Sequence, residues 1–133
     1  MNTFLVIIGV IVVVMVINSA MTAVRNRGIT MVDAAAAKKL SEDPQVTIID
    51  VRTPGEFNGG HIKKAKLIPV NEIGNRIGEI ANLKDSTILV YCRSGHRSSM
   101  AAGVLKKHGF TKVNNLSRGI SAWESAGYAT TKK

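Results

Sequence analysis

Twenty-one consecutive residues, Phe4 to Val24, carry no charged side chain, and from Phe4 to Ile17 every one is apolar or Gly. A helix rises about 1.5 Å per residue, so this stretch would reach about 31 Å, close to the hydrocarbon thickness of a bilayer. A buried core helix that is apolar all round would need more surrounding protein than the rest of the chain supplies. Residues 1–24 are therefore predicted to form a transmembrane anchor that meets the membrane through residues 4–24. The alternative is a cleaved signal peptide. Against it, Met1, Asn2 and Thr3 give no basic n-region, and Asn18 or Met21 stands where a small residue is wanted for cleavage after Ala20 or Ala23. Arg25 and Arg27 flank the C-terminal end of the span and nothing basic flanks the other. The positive-inside rule then places a single-pass protein with its following domain in the cytoplasm; cleavage would instead export that domain.

All 27 charged side chains fall at or beyond Arg25, so the whole formal charge of +9 belongs to the part after the span. A basic excess points to anionic partners. Nucleic acid is not expected among them, because six aromatics are scattered along the chain and no Lys/Arg run exceeds two residues. Small anions or an acidic lipid surface suit the charge better. Cys92 is the sole cysteine, which excludes an intrachain disulfide, a Cys-rich metal cluster and a second thiol for redox cycling within the chain. His61, His96 and His108 lack ligand spacing, so no metal site is expected.

Beyond a linker at 25–28, residues 29–133 read as one domain. Thr30, Met31, Val32 and Asp33 match a capping box that would start a helix running through Ala34 to Leu40. Val46 to Val51 is a β-branched apolar run, as expected of a strand buried on both faces. Thr53, Pro54, Gly55 and Glu56 form a second capping box with Pro at the first helical position, and Gly59 and Gly60 end the short helix. Leu67 to Val70 reads as a brief strand, Glu72 to Ala81 as a helix capped by Asn71 and weakened by Gly74 and Gly78. Thr87 to Tyr91 is the second strongly apolar strand; a helix from Ser98 to His108, a strand from Lys112 to Leu116 and a helix from Ile120 to Ala126 complete the series. Strands alternating with helices predict a three-layer α/β domain with a largely parallel sheet.

Chemistry concentrates in Tyr91, Cys92, Arg93, Ser94, Gly95, His96, Arg97, Ser98 and Ser99, between a buried strand and a helix start. Ligands of open α/β sheets gather at the carboxyl ends of strands. A short loop with Gly at its middle can turn successive N–H groups inward as an anion nest, backed by the positive end of the helix. Helix dipole, Arg93, Arg97 and a protonated His96 would each favour a Cys92 thiolate over the thiol. A lone cysteine is more often inert packing, but the residues after Cys92 are mostly polar or charged, which suits a reactive thiol.

The chain resembles the rhodanese family of sulfurtransferases over nearly all of residues 29–127. The carriers are Ile49, Asp50, Val51 and Arg52 with Pro54, Glu56 and Phe57; Gly60, His61 and Ile62 with Ala65, Ile68 and Pro69; the Cys92 to Arg97 loop; and Gly119, Ile120, Ala122 and Trp123. The resemblance implies a rhodanese-like three-layer domain in which Cys92 accepts a sulfane sulfur as a persulfide and Arg93, Ser94, Gly95, His96, Arg97 and Ser98 cradle it. It implies a small anionic donor, thiosulfate or similar, an acceptor that is cyanide or a thiol, and no cofactor. Related phosphatases use a longer loop between Cys and Arg; the four residues between Cys92 and Arg97 suit sulfur. A persulfide carrier with little turnover of free thiosulfate is the alternative. Asp50 and Arg52 stand at a strand's C-terminal end in a supporting role, as an ion pair or as loop-fixing donors and acceptors. His61 reads as a structural donor to backbone, Trp123 as core, and Lys63, Lys64 and Lys66 as a solvated rim that could meet acidic headgroups.

Overall fold

Runs of β-branched residues that are apolar on both faces have to be covered twice, and the domain is organised around that need. The computed structural model describes residues 2–25 and 29–133. Its elements are α1 (Thr3–Arg25), β1 (Ile29–Val32), α2 (Ala34–Glu42), β2 (Thr47–Asp50), α3 (Pro54–Asn58), β3 (Lys66–Leu67), a 3₁₀ helix (Ile77–Leu83), β4 (Thr87–Tyr91), α4 (His96–Lys107), β5 (Lys112–Leu116) and α5 (Gly119–Ser125). The five strands form one sheet in the order β1-β5-β4-β2-β3. Every pairing is parallel, with Ile49 opposite Val90 and Val90 opposite Asn115 across the centre.

Because side chains alternate along a strand, β2 and β4 feed two cores. Ile49, Ile88, Val90 and Val113 pack under α4 through Ala101, Ala102 and Leu105, with Ile73, Ile80 and Phe110 closing that layer. Ile48, Leu89, Tyr91 and Leu116 pack on the opposite face against Ala37 of α2 and Ile120 and Trp123 of α5. This is the three-layer α/β architecture expected from the alternation of elements. Truncating a fully buried member such as Leu105 to Ala costs about 2–5 kcal/mol.

Four local expectations are corrected. Residues 29–32 form β1 instead of a helix cap: Ile29 to Val32 are rich in β-branched side chains and pair with Val113 to Leu116. The cap of α2 is Asp33, whose carboxylate accepts the Ala36 N–H at 2.8 Å. The span Glu72 to Ala81 is not an α-helix; turns lead into the 3₁₀ helix, Gly74 and Gly78 favouring neither a straight helix nor its hydrogen bonds, while Ile73 and Ile80 still fill the core. The strand expected at Leu67–Val70 is the shorter β3, Lys66–Leu67. α4 starts at His96, two residues before the expected Ser98, because Gly95 at φ 103° turns the chain straight into the helix. The linker expected at 25–28 lies outside the described residues except for Arg25, the last residue of α1.

α1 is long and apolar enough to cross a membrane, and none of its Thr3–Ala20 window, of mean hydropathy 2.7, is buried against the rest of the protein.

Candidate active site

β4 delivers Cys92 to the carboxyl edge of the sheet, and the backbone then turns at once into α4. Gly95 makes this possible: its φ of 103° is open to glycine, and a Cβ there would press against the Arg118 amide at 3.3 Å. Gly95 caps α4 with no side-chain bond, which leaves the amides of the first turn unclaimed by the helix. The Ser98 amide of that turn and the loop amides of Ser94 and Gly95 face the sulfur. The Gly95 N–H donates to Cys92 Sγ at 3.0 Å, and the Ser98 hydroxyl lies 3.4 Å from the same atom. Cys92 is 1% exposed. Burial pushes its pKa up, but hydrogen bonds from the Ser98 hydroxyl and from the Ser98, Gly95 and Ser94 amides outweigh burial and hold it below the ordinary thiol value.

Ser98 has two partners for one proton. With Cys92 as a thiol, the Ser98 hydroxyl donates to the Gly95 carbonyl at 3.2 Å and accepts from sulfur. With Cys92 as a thiolate, the hydroxyl turns to donate to sulfur. The Gly95 carbonyl is then still held by the Ser99 hydroxyl at 2.8 Å, so ionisation strands no acceptor. Ser99 is itself fixed by Asn115 on β5, whose Nδ2 donates to Ser99 Oγ at 3.0 Å.

The arginines are arranged otherwise than their charge alone suggests. Arg97 makes a two-pronged contact with Glu56, at 2.7 and 2.9 Å, and Arg93, 71% exposed, approaches the same carboxylate at 4.0 Å. The Arg97 hydrogen bonds hold the Glu56 carboxyl down at about 2. Cationic side chains were expected to share in ionising Cys92; the larger part comes from amides and Ser98, with Arg97 adding a Coulombic attraction from the side. His96 is exposed at the first position of α4.

Asp50 and Arg52 are a buried pair, 0% and 5% exposed, at the end of β2. Arg52 Nε and Nη2 reach the Asp50 carboxylate at 3.0 and 2.7 Å, and Nη2 also holds the Gly60 carbonyl at 2.7 Å. They support the site through the segment carrying α3, and hence Glu56, and make no hydrogen bond to Cys92. His61 is buried and stacked on Phe57 at 3.7 Å, its ring nitrogens 2.8 and 2.9 Å from the Phe57 and Lys133 carbonyl oxygens. That is the structural role expected of it. Trp123 is buried core.

The roles of three residues at the site escaped sequence reasoning. Glu56 was read as part of a helix cap and as a carrier of the family resemblance, although a capping residue that directly follows β2 must lie at the same sheet edge as the Cys92 loop. Asn115 is a polar residue in a strand neighbouring β4, one position from its carboxyl end; its Oδ1 is buried with no partner among the described residues. Gly119, at φ 60°, lies so close beneath the loop that a Cβ would run into the carbonyl oxygens of Cys92 and Arg93. The next two amides, Ile120 and Ser121, donate to those same carbonyls at 2.8 and 3.2 Å.

Residues 33–126 match the Rhodanese-like domain family. The chain belongs to it. Among relatives of this rhodanese-like chain, a sulfurtransferase of Allochromatium vinosum is 38% identical over 91 residues, covering 68% of the chain and 83% of that protein. The thiosulfate sulfurtransferase PspE of Escherichia coli is 37% identical over 67 residues, covering 50% of the chain and 64% of that protein. In three dimensions, the rhodanese-like domain of the Anabaena protein Alr3790 superposes with a TM-score of 0.70 at 31% identity, covering 77% of this rhodanese-like chain and 79% of the other.

Proposed function

We propose that this chain is a membrane-anchored thiosulfate sulfurtransferase working through Cys92. The observation that carries the reading is the buried sulfur facing the Gly95 N–H at 3.0 Å, with the Ser98 hydroxyl beside it. A site that stabilises a thiolate with fixed dipoles also stabilises a persulfide anion, which bears the same charge one sulfur further out. The thiolate attacks the outer sulfur of thiosulfate, the S–S bond of the donor breaks, and sulfite leaves with the electron pair. Cys92 is left as a persulfide anion. Cyanide or a thiolate then attacks the outer sulfur and leaves as thiocyanate or a new persulfide, returning the Cys92 thiolate. The PspE relative, named for thiosulfate, supports that donor.

The anchor reading is supported by the 23-residue length of α1, the unburied apolar surface of its Thr3–Ala20 window, and Arg25 and Arg27 at the C-terminal flank, which favour a cytoplasmic domain. Resistance of the full chain to carbonate extraction, together with protease access from the cytoplasmic side only, is the expected result.

The catalytic reading is tested by initial rates with thiosulfate and cyanide varied in turn. Parallel double-reciprocal lines, a mass gain of about 32 Da after thiosulfate alone, and loss of at least about 10³-fold in rate in Cys92→Ser are expected. A stable persulfide with negligible turnover would assign the chain to sulfur carriage instead. No mass gain would overturn both.

A further inference from the structure

The two edges of the sheet differ in charge, and the topology decides which of them lies near α1. All pairings are parallel, so every strand starts at one edge and finishes at the other. Cys92 directly follows β4 and sits at the finishing edge. β1 starts at Ile29, four peptide steps after Arg25, the last residue of α1. A chain covers at most about 3.6 Å per residue, so the starting edge lies within about 14 Å of the end of α1, whatever path residues 26–28 take.

The starting edge is basic. α2 and α4 return from the finishing edge, so their last turns bring Lys39 and Lys107 there; Lys84 precedes β4 and Lys112 opens β5. Lys39, Lys107 and Lys112 are exposed, Lys84 is half-buried, and none of the four is in an ion pair with a described residue. The carboxylates at this edge are Glu42, Asp43 and Asp85. Glu42 is taken by Lys38 at 3.2 Å, and Asp43 accepts the Gln45 N–H at 2.9 Å. At the finishing edge Arg52 and Arg97 are matched by Asp50 and Glu56, Arg93 approaches the same Glu56 carboxylate at 4.0 Å, and Arg118 is exposed, so fewer cations are left over than at the starting edge.

We propose that the starting edge of the sheet rests on the anionic headgroups of the bilayer that holds α1, contacting them through Lys39, Lys84, Lys107 and Lys112, so that the Cys92 loop faces solvent. The inference rests on the reading of α1 as a membrane span. It has a chemical consequence. The five residues of β4, at about 3.3 Å each, put Cys92 about 17 Å beyond the contacting edge, some two Debye lengths at physiological ionic strength. An acidic leaflet repels a dianionic donor. A domain standing on its basic edge holds the loop outside that repulsion and open to acceptors arriving from solution.

The test uses the full chain carrying Cys92→Ser, so that an introduced cysteine is the sole labelling site. Nitroxide is placed at His108→Cys, exposed at the starting edge, or at Arg93→Cys, exposed at the finishing edge. Each protein is reconstituted into vesicles of phosphatidylcholine with phosphatidylglycerol, containing a lipid whose headgroup chelates nickel. Relaxation of the nitroxide by nickel is expected to be several-fold stronger at 108 than at 93. That difference should fall when phosphatidylglycerol is omitted and when Lys39, Lys107 and Lys112 are all changed to Glu. Equal relaxation at the two positions, a reversed order, or indifference to the triple charge reversal overturns the proposal. Flotation of the same vesicles in high salt reads the anchor independently. Protein that floats but relaxes equally at both sites sinks the docking surface and leaves the anchor standing, whereas protein that does not float removes both.

Discussion

β2 and β4 lie side by side, run the same way, and each ends in a tight turn into a helix, yet the two ends are finished in opposite manners. After β2 the charged and capping side chains are claimed by one another and by backbone. Asp50 and Arg52 neutralise one another, Arg52 takes the Gly60 carbonyl, and the Thr53–Glu56 capping box closes the start of α3. After β4 the helix start is left without a side-chain cap, and the amides of Ser94, Gly95 and Ser98 face a sulfur atom. One end uses charged side chains to fix backbone; the other uses backbone to hold charge. The difference separates support from chemistry at two positions that the topology makes equivalent.

The sharpest way to break this contrast is to remove a charge from the closed end. Asp50→Ala leaves Arg52 buried and uncompensated, and a loss of about 3–5 kcal/mol in unfolding free energy is expected from urea titration. Cys92→Ser at the open end should cost stability little while removing transfer. If Asp50→Ala proves no more destabilising than Cys92→Ser, the β2 end is not the support it is taken to be.

Next in size is Gly119→Ala. The added methyl group must displace the Cys92 and Arg93 carbonyls or move α5, at a cost of about 1–3 kcal/mol for the overpacking and the left-handed backbone. Because the displaced atoms belong to the nest, sulfur transfer is expected to fall further than stability. A variant with lowered melting temperature and unchanged kcat/KM would show that α5 does not brace the loop.

Ser98→Ala sharpens the comparison without disturbing the fold. It removes a donor to the thiolate but leaves Gly95 O with Ser99. A hydrogen bond to a charged group contributes about 1.5–3 kcal/mol, so alkylation of Cys92 at neutral pH should slow about tenfold. The midpoint of its pH profile should move up. An unmoved midpoint would leave the amides as the whole source of the lowered thiol pKa.

Much of this arrangement was readable from residue order. Val46 to Val51 and Thr87 to Tyr91 could be placed as buried strands because β-branched and apolar residues dominate both runs, and the Cys92 loop stood out because polar residues crowd after such a strand. What could not be read were relations across the chain. Thr30 and Asp33 satisfy a helix cap on paper, and only the availability of β5 as a partner makes Ile29 to Val32 a strand. Arg97 looked like a cation aimed at sulfur; its actual partner, Glu56, lies 41 residues away. Gly119 stood out as a carrier of the family resemblance, but its closeness to the Cys92 and Arg93 carbonyls is a relation between elements that no local pattern encodes.

The smallest expected effect concerns that long-range pair. Glu56 titrates at about 2 in the folded protein, whereas a free glutamate titrates near 4.3. Its folded value is depressed, so the stability it contributes is fully present above the unfolded value and is lost as pH falls through about 2. Both partners are partly solvated, which keeps the contribution to about 1 kcal/mol or less. Glu56→Gln should therefore unfold more easily than the parent by a constant margin above about pH 5, and the margin should shrink toward zero as pH drops from about 4 to about 2. Salt should reduce it in parallel. The same variant frees Arg97 from its carboxylate. If the Glu56–Arg97 pair serves the open end by keeping that cation beside the nest and off the sulfur, thiosulfate KM should shift in Glu56→Gln more than the stability margin does. A margin that persists at pH 2 would mean that the glutamate acts through packing at the start of α3 and not through its charge.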